Sequence, residues 1–331
     1  MLRDLFSDRH IRFLLIANLV ILLVASAVSS GQFLDPFNIQ NMAKQLPEIA
    51  LLALAIMLAM VSGNGGIDLS VVGIANLSAI TAGLVAKATV ADGSGAAFML
   101  VFVVVALMVG VACGVINGLL ISRAGFAPIL ATLGTQLLFV GLGVALSGGP
   151  TVSLGYVEPF VQIGNGTLFG VPIPFVIFLV AALLVAWLLG RTRFGFRLYL
   201  MGTNPKAAHF AGINTRQMQL FTYTLCGVLA SISGIISASA NSSAKWDFGA
   251  SYLLIAILMA VMGGINPDGG HGRVLGLVLA GVALQLLSSG LNLLNVSNFL
   301  RDFTWGLLLL LSIVFTSAWQ QFLPRRRRET G

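Results

Sequence analysis

Residues capable of catalysis or metal binding are few in this sequence, and their spacing assembles neither kind of site. The chain of 331 residues contains three histidines and two cysteines. His271 stands in a glycine-rich segment with no second histidine or cysteine at metal-ligand spacing, so we interpret it as a surface loop residue. Cys113 and Cys226 fall inside apolar stretches, where we expect them to pack against their neighbours. We therefore predict no catalytic residue, no metal site and no enzymatic activity.

The sequence also contains no nucleotide-binding motif. No G-x-x-x-x-G-K-[ST] run is present, so the chain cannot bind ATP through a P-loop. We predict that it binds no cofactor directly.

An acidic residue, Asp68, stands between two apolar stretches in the segment SGNGGIDLS, residues 62–70. The glycines allow a tight turn, and Asp68 can cap the helix that follows. One interpretation places this loop in a permeation path or gate, because irregular backbone at membrane depth must line a cavity or be buried in protein. The other is a capped turn at the cytoplasmic surface. Apart from Asp68, we expect no buried acid in the apolar stretches, which argues against a proton relay.

The composition is that of an integral membrane protein. Only 9% of the residues are charged and 57% are hydrophobic, whereas soluble proteins have about 25% charged residues. The net charge of +7 is explained by basic residues at the ends of the apolar stretches, so we expect lipid and no nucleic acid as a partner. Ten stretches are predicted to span the membrane: 11–30, 46–62, 69–87, 96–121, 128–147, 172–190, 217–238, 251–264, 274–294 and 302–318.

The distribution of basic residues predicts the topology of a single transmembrane domain over residues 1–331. With the N-terminus inside, fourteen Lys and Arg residues fall on the cytoplasmic side and four outside. The cytoplasmic segments are then 1–10, the loop 191–216 and the basic tail 319–331. Ten spans with this loop after the sixth suggest two five-helix halves. Because five is odd, the halves would be inverted relative to each other.

The loop 191–216 carries a short helix of its own, predicted over 205–211. Asn204 can cap it, Pro205 suits its first position and Gly212 suits the left-handed residue after its end. A helix of about two turns is marginal alone in water, so either the bundle or a partner protein must hold it. Its small or apolar side chains could contact such a partner: Ala207, Ala208 and Phe210.

Polar side chains inside the predicted spans are expected to face the interior of the bundle, because lipid contact would be costly. They are Asn18, Asn76, Asn117, Gln136, Gln285 and Asn292. Glycines also recur every four residues at Gly110, Gly114 and Gly118, which predicts a close helix contact. Seven residues are candidates for the translocation path or gate: Gly65, Gly66, Asp68, Ser70, Asn76, Asn117 and Gln285.

Three blocks in order along the chain resemble the permease subunits of ribose-type (monosaccharide) ATP-binding-cassette importers. They are GGIDLS at 65–70, G-x-N-x-x-A-A-x-x-x-G-I at 202–213 and GG-x-x-x-x-GG-x-G at 263–272. The resemblance implies a bacterial inner-membrane pore for a monosaccharide or related polyol, made by two permease subunits, homo- or heterodimeric. It also implies a periplasmic sugar-binding protein and a cytoplasmic ATPase that uses the ATP.

The same resemblance makes the short helix of the 191–216 loop the coupling helix that docks into the ATPase. The residues carried over to this role are Gly202, Asn204, Pro205, Ala207, Ala208, Phe210 and Gly212. The main alternative is an ion- or proton-coupled secondary transporter of a small polar solute, which would also have inverted halves.

Overall fold

The computed structural model describes residues 9–29, 31–90, 94–149 and 151–322, apart from the side chains of residues 298, 312, 313 and 315–322. Residues 1–8 of the predicted cytoplasmic N-terminus and 323–331 of the predicted basic tail lie outside the described residues. The described part is built from α-helices joined by short loops. The helices are α1 (Arg9–Val28), α2 (Pro36–Val61), α3 (Val71–Thr89), α4 (Gly95–Ser122), α5 (Pro128–Ser147), α6 (Glu158–Asn165), α7 (Ile173–Arg191), α8 (Arg193–Thr203), α9 (Pro205–Phe210), α10 (Thr215–Asn241), α11 (Tyr252–Met262), α12 (Val274–Leu293) and α13 (Asn298–Phe322).

The strands are two residues long and form two small antiparallel pairs. β1 (Val152–Ser153) pairs with β4 (Ser243–Ala244), which ties the connection after α5 to the end of α10. β2 (Thr167–Leu168) pairs with β3 (Val171–Pro172) in a hairpin before α7.

A helix stands at each of the ten stretches predicted to span the membrane. Among the described residues, eight of these helices are long and apolar enough to cross a bilayer: α1, α2, α3, α4, α5, α7, α10 and α12. The helix α11 has only 11 residues. At the α-helical rise it is roughly 16 Å long, about half the thickness of the hydrocarbon core.

The helix α2 begins ten residues before the predicted start at 46. The side chain of Asp35 accepts a hydrogen bond from Phe37 N, and Pro36 occupies the first helical position. Both features favour a helix start. The polar first part of α2 therefore continues directly into its apolar part, through Pro47.

The core is centred on α2 and α10. Every residue from Ala50 to Val61 is at most 2% exposed, as expected for a helix that is apolar on all sides. The helix α10 packs on α2, α3 and α4. A methyl group on Gly114 of α4 would lie 2.4 Å from Tyr223 O of α10, and one on Gly110 would lie 2.5 Å from Gly227 O. The predicted close contact at these glycines is therefore confirmed.

The packing of the helices repeats between the two halves of the chain. In the first half α3 contacts α4 and α5, and in the second half α11 contacts α12 and α13. Between the halves, α10 contacts α3 and α4, while α2 contacts α11 and α12. These contacts match α2 with α10, α3 with α11, α4 with α12 and α5 with α13. Four helices of each half therefore pack in corresponding ways, whereas α1 packs mainly on α12 and α7 mainly on α2.

Candidate functional site

The loop 191–216 contains two helices where one was predicted. The predicted short helix is confirmed as α9, and the longer α8 precedes it. The side chain of Thr192 caps α8 by accepting from Gly195 N. Leu198 and Met201 of α8 are at most 1% exposed. With Phe194 they recur at spacings of four and three residues, so the apolar face of α8 was visible in the sequence.

The helix α9 is capped at both ends as the sequence predicts. Asn204 Oδ1 accepts from Ala207 N at 3.0 Å. Gly212 has φ +78°, and beyond it Ile213 N donates to Ala208 O at 3.0 Å. This is the pattern of a left-handed helix end.

The residues of α9 differ in their exposure. Phe210 is 89% exposed and Ala208 is 4% exposed. Among the predicted coupling residues, those at the surface are Asn204, Pro205, Ala207, Phe210 and Gly212, and those buried are Gly202 and Ala208. Ala208 therefore faces the protein, and Phe210 is the large apolar side chain of α9 that is available to a partner.

Three segments that are distant in sequence meet beside α9 through glycine backbones. A methyl group on Gly202 would lie 2.1 Å from Val61 O and 2.4 Å from Gly270 N, and one on Gly269 would lie 2.3 Å from Gly63 Cα. Gly270 N also donates to Val61 O at 3.1 Å. We call the residues Gly63, Gly202, Gly269 and Gly270 the glycine junction. It connects the end of α8 to the loop after α2 and to the loop after α11.

A side-chain hydrogen bond adds to this connection. Tyr199 of α8 donates through Oη to Gly272 O at 2.7 Å. Burial raises the pKa of Tyr199 from its ordinary value, and the nearby charge of Arg273 partly offsets this rise. Tyr199 therefore stays protonated and available as a donor at neutral pH.

The loop 62–70 runs from the surface into the protein. Gly65 is exposed, whereas a methyl group on the buried Gly66 would lie 2.2 Å from Ala59 O. Asp68 and Ser70 are fully buried. Asp68 is therefore buried in protein and is not an exposed turn residue. The second half of the loop is buried against α4 and α5, where Ser70 accepts a hydrogen bond from Asn117 and Leu69 N donates one to Thr132.

Asp68 begins a chain of buried hydrogen bonds. Its Oδ1 atom accepts from Ser70 N at 2.9 Å and from Ser70 Oγ at 2.6 Å. Asn117 Nδ2 donates to Ser70 Oγ at 2.7 Å, and Thr135 Oγ1 donates to Asn117 Oδ1 at 2.6 Å. Asp68 Oδ2 is buried without a hydrogen-bond partner. The structure thus brings together three of the predicted site residues, Asp68, Ser70 and Asn117.

The environment of Asp68 changes its acidity. Burial raises the pKa of Asp68 from 3.8 to about 6, and the two hydrogen bonds from Ser70 oppose part of this rise. A buried carboxyl without a cationic partner favours its neutral form.

The other two predicted path residues lie in separate contacts. Asn76 of α3 donates through Nδ2 to Trp246 O and Phe248 O, at 2.9 Å each. Gln285 of α12 donates to Gln45 Oε1 of α2 at 3.2 Å. Both side chains face protein, as expected for polar residues in spans, and both connect the two halves.

The expectation that Asp68 is the one buried acid is wrong, because Glu48 of α2 is only 9% exposed. Its Oε2 atom accepts from Tyr252 Oη of α11 at 3.3 Å. Glu48 lies within the predicted span 46–62, so its position in the sequence was the signal that could have found it. The expected absence of further buried acids was the argument against a proton relay, and that argument no longer holds.

Most of the chain is similar in sequence to known transport permeases. A family described as branched-chain amino acid transport system / permease component matches residues 38–313. The ribose import permease protein RbsC of Bacillus subtilis is 35% identical over 303 residues, 89% of each chain. RbsC of Escherichia coli K12 is 34% identical over 91% of each chain. The autoinducer 2 import system permease protein LsrD of Photorhabdus temperata is 34% identical over 78% of each chain.

Proposed function

The chain belongs to the family of branched-chain amino acid transport system permease components, and we propose that it is the permease subunit of an ATP-driven importer for a monosaccharide or related polyol. The observation that carries the proposal is the 35% identity to a ribose import permease over 89% of both chains. The resemblance of the three sequence blocks to ribose-type permeases supports the same substrate class. The comparisons give no support to an ion- or proton-coupled secondary transporter.

An importer of this kind needs proteins that this chain does not supply. We propose a cytoplasmic ATP-binding-cassette ATPase, which uses the ATP, and a periplasmic sugar-binding protein, which delivers the solute. We also propose a second permease subunit, identical or related, that completes the pore in the bacterial inner membrane. The chain itself would bind no nucleotide and no metal.

The exposed α9 is the surface that we assign to ATPase docking. Two observations support this assignment: Phe210 is 89% exposed, and the glycine junction next to it is tightly packed. A partner docked over α9 would bury this side chain, and burial of apolar surface favours association. The junction then offers a mechanical connection from the docked helix to the ends of α2 and α11, one helix from each half. Tilting of the halves would open the path to one side of the membrane at a time.

The substitution Phe210→Asp tests this assignment in the complete importer reconstituted in liposomes. We expect uptake and the ATP hydrolysis stimulated by the loaded binding protein to fall at least tenfold, because a charged residue would replace the apolar contact. Membrane insertion should be unchanged, since the side chain is exposed. The matched control is Phe169→Asp, which changes a 98% exposed phenylalanine in the β2–β3 hairpin. Uptake by Phe210→Asp at the rate of the control would exclude the docking role.

A further inference from the structure

We propose that the end of α7 and the exposed side of α8 form a binding site for the headgroup of an anionic phospholipid. We call this surface the lipid face. Its residues are Trp187, Arg191, Arg193, Phe196, Arg197 and Leu200. The inference goes beyond the proposed function, because it concerns the bilayer around the protein and does not depend on the solute.

The helix α7 presents an exposed apolar stripe that ends at a basic side chain. Val180, Leu184 and Trp187 are each at least 50% exposed, and α7 is long and apolar enough to cross a bilayer. Arg191 follows Trp187 at a spacing of four residues, which continues the stripe along the same side of the helix. Tryptophan is enriched where a bilayer meets water, and basic residues lie beyond it. The stripe therefore follows the order of a lipid molecule, with acyl chains first and the headgroup last.

The helix α8 continues this surface, since it begins two residues after the end of α7. Four of its exposed residues recur at spacings of three and four, which places them on one side of the helix: Arg193, Phe196, Arg197 and Leu200. At about 100° per residue, Phe196 and Leu200 occupy one edge of this side. The two arginines occupy the other edge. Helices that lie in the bilayer interface combine Phe or Leu with basic residues in this way.

The charges of the lipid face have no acidic partner among the described residues. Arg191, Arg193 and Arg197 are exposed, and none of the ion pairs found in the described part of the chain involves them. The sequence contains no acidic residue between Glu158 and Asp247. Guanidinium groups bind phosphate oxygens through paired hydrogen bonds. Three of them so close together in the sequence fit a phosphate group supplied from outside the chain.

The charge of the headgroup decides which lipid fits. Phosphatidylglycerol offers a phosphate without a cationic group, whereas phosphatidylcholine also carries a quaternary ammonium, which the arginines repel. The loop 191–216 is predicted to be cytoplasmic, and on that side anionic lipids give the bilayer a negative surface. One basic side chain near such a surface strengthens the attraction about fivefold. The lipid face therefore selects anionic over zwitterionic lipid.

The ATPase is the other candidate occupant of this surface. Lipid is favoured because the lipid face is continuous with the exposed stripe of α7, and a soluble partner does not reach a stripe within the bilayer. The side chain assigned to ATPase docking, Phe210, lies on α9 and not on α8.

The experiment measures how phospholipids brominated close to the headgroup quench the fluorescence of Trp187. The purified protein is placed in phosphatidylcholine nanodiscs with increasing fractions of brominated phosphatidylglycerol or brominated phosphatidylcholine. The signal of Trp187 is the difference between the wild type and a Trp187→Phe variant. We expect phosphatidylglycerol to bind beside Trp187 at least tenfold better than phosphatidylcholine.

The variants then assign this preference to the arginines. Arg193→Gln combined with Arg197→Gln should lower the ratio of the two affinities at least fivefold, whereas Arg193→Lys combined with Arg197→Lys should keep most of it. The matched control is Arg123→Gln combined with Arg216→Gln. It removes two exposed arginines outside the lipid face and should leave the ratio unchanged.

Each other outcome overturns one claim. Equal binding of the two lipids by the wild type would exclude an anionic lipid site. An equal fall of the ratio in both pairs of glutamine variants would show an attraction to the overall charge and would exclude a site at the lipid face. The measurement is repeated in the complete importer, where loss of the preference would mean that the ATPase or the second permease subunit covers the surface instead of lipid. The proposed function fails separately, if the complete importer accumulates no sugar with ATP while the lipid preference of the purified protein is present.

Discussion

The substitution Gly202→Ala should destabilise the protein through the glycine junction. The added methyl group would lie 2.1 Å from Val61 O and 2.4 Å from Gly270 N. Both neighbours are backbone atoms, so neither can rotate away, and one segment of the junction must move. Overpacking of this kind costs about 1–3 kcal/mol. Movement of Gly270 also weakens its hydrogen bond to Val61 O, 3.1 Å long, which contributes about 1 kcal/mol.

A second effect opposes this cost. Gly202 lies in the last turn of α8, and alanine favours a helix over glycine by up to about 1 kcal/mol. The net loss of unfolding free energy is therefore expected to be about 1–3 kcal/mol. We expect a lower melting temperature of the purified protein in detergent, and reduced uptake by the reconstituted importer, because the junction connects α9 to both halves.

The matched control is Gly134→Ala in α5. Gly134 is also helical, and a methyl group added there has no neighbour within 4 Å. Gly134→Ala should therefore keep or raise the melting temperature. Equal melting temperatures for Gly202→Ala and Gly134→Ala would refute the close backbone packing at the junction. A lowered stability with wild-type uptake would keep the packing and refute its role in coupling.

Two further substitutions test the cap of α9 and the ionisation of Asp68. Asn204→Ala removes the cap of α9 and should cost about 1 kcal/mol of helix stability, so the uptake rate should fall. Asn204→Asp keeps a hydrogen-bond acceptor at the cap and should keep the uptake rate near that of the wild type. Equal uptake by both variants would contradict the role of the cap. For Asp68, the unfolded chain loses its proton near pH 4 and the folded chain near pH 6, so the unfolding free energy should fall by roughly 3 kcal/mol as the pH rises between these values. Asp68→Asn should reduce this dependence in thermal melts between pH 4 and 7, and an unchanged slope would contradict it.

Hydropathy was sufficient to predict the positions of the membrane helices but not their full lengths. It predicted neither the start of α2 at Pro36 nor the short length of α11. Asp35 caps a polar segment that hydropathy treats as a loop. The helix α8 was missed because Arg193 and Arg197 lower its mean hydropathy, although its apolar face follows a helical period. Capping and periodicity therefore carry information that an average over a window loses.

The candidate sites depend on contacts between residues far apart in the sequence. Each of Asp68, Ser70 and Asn117 could be predicted to face protein, because a polar group in lipid is costly. The hydrogen bond between Asn117 and Ser70 spans 47 residues and could not be read from spacing. The glycine junction joins Gly63, Gly202 and Gly269 across even longer separations. A glycine in a sequence indicates that another segment can approach the backbone closely, but it does not identify that segment.

The glycine junction and the contact between Glu48 and Tyr252 are connected by the same two helices. The helix α2 carries Glu48 and ends at Val61, whose carbonyl accepts from Gly270 in the glycine junction. The helix α11 begins at Tyr252 and ends just before the loop that supplies Gly269 and Gly270. Along α2 the distance from Glu48 to Val61 is about 20 Å at the helical rise. Because a buried helix moves as a rigid body, a displacement at α9 that separates the ends of α2 and α11 also changes the distance between Glu48 and Tyr252. The 3.3 Å hydrogen bond between them is therefore the contact at which a displacement of α9 would change the fit of the two halves.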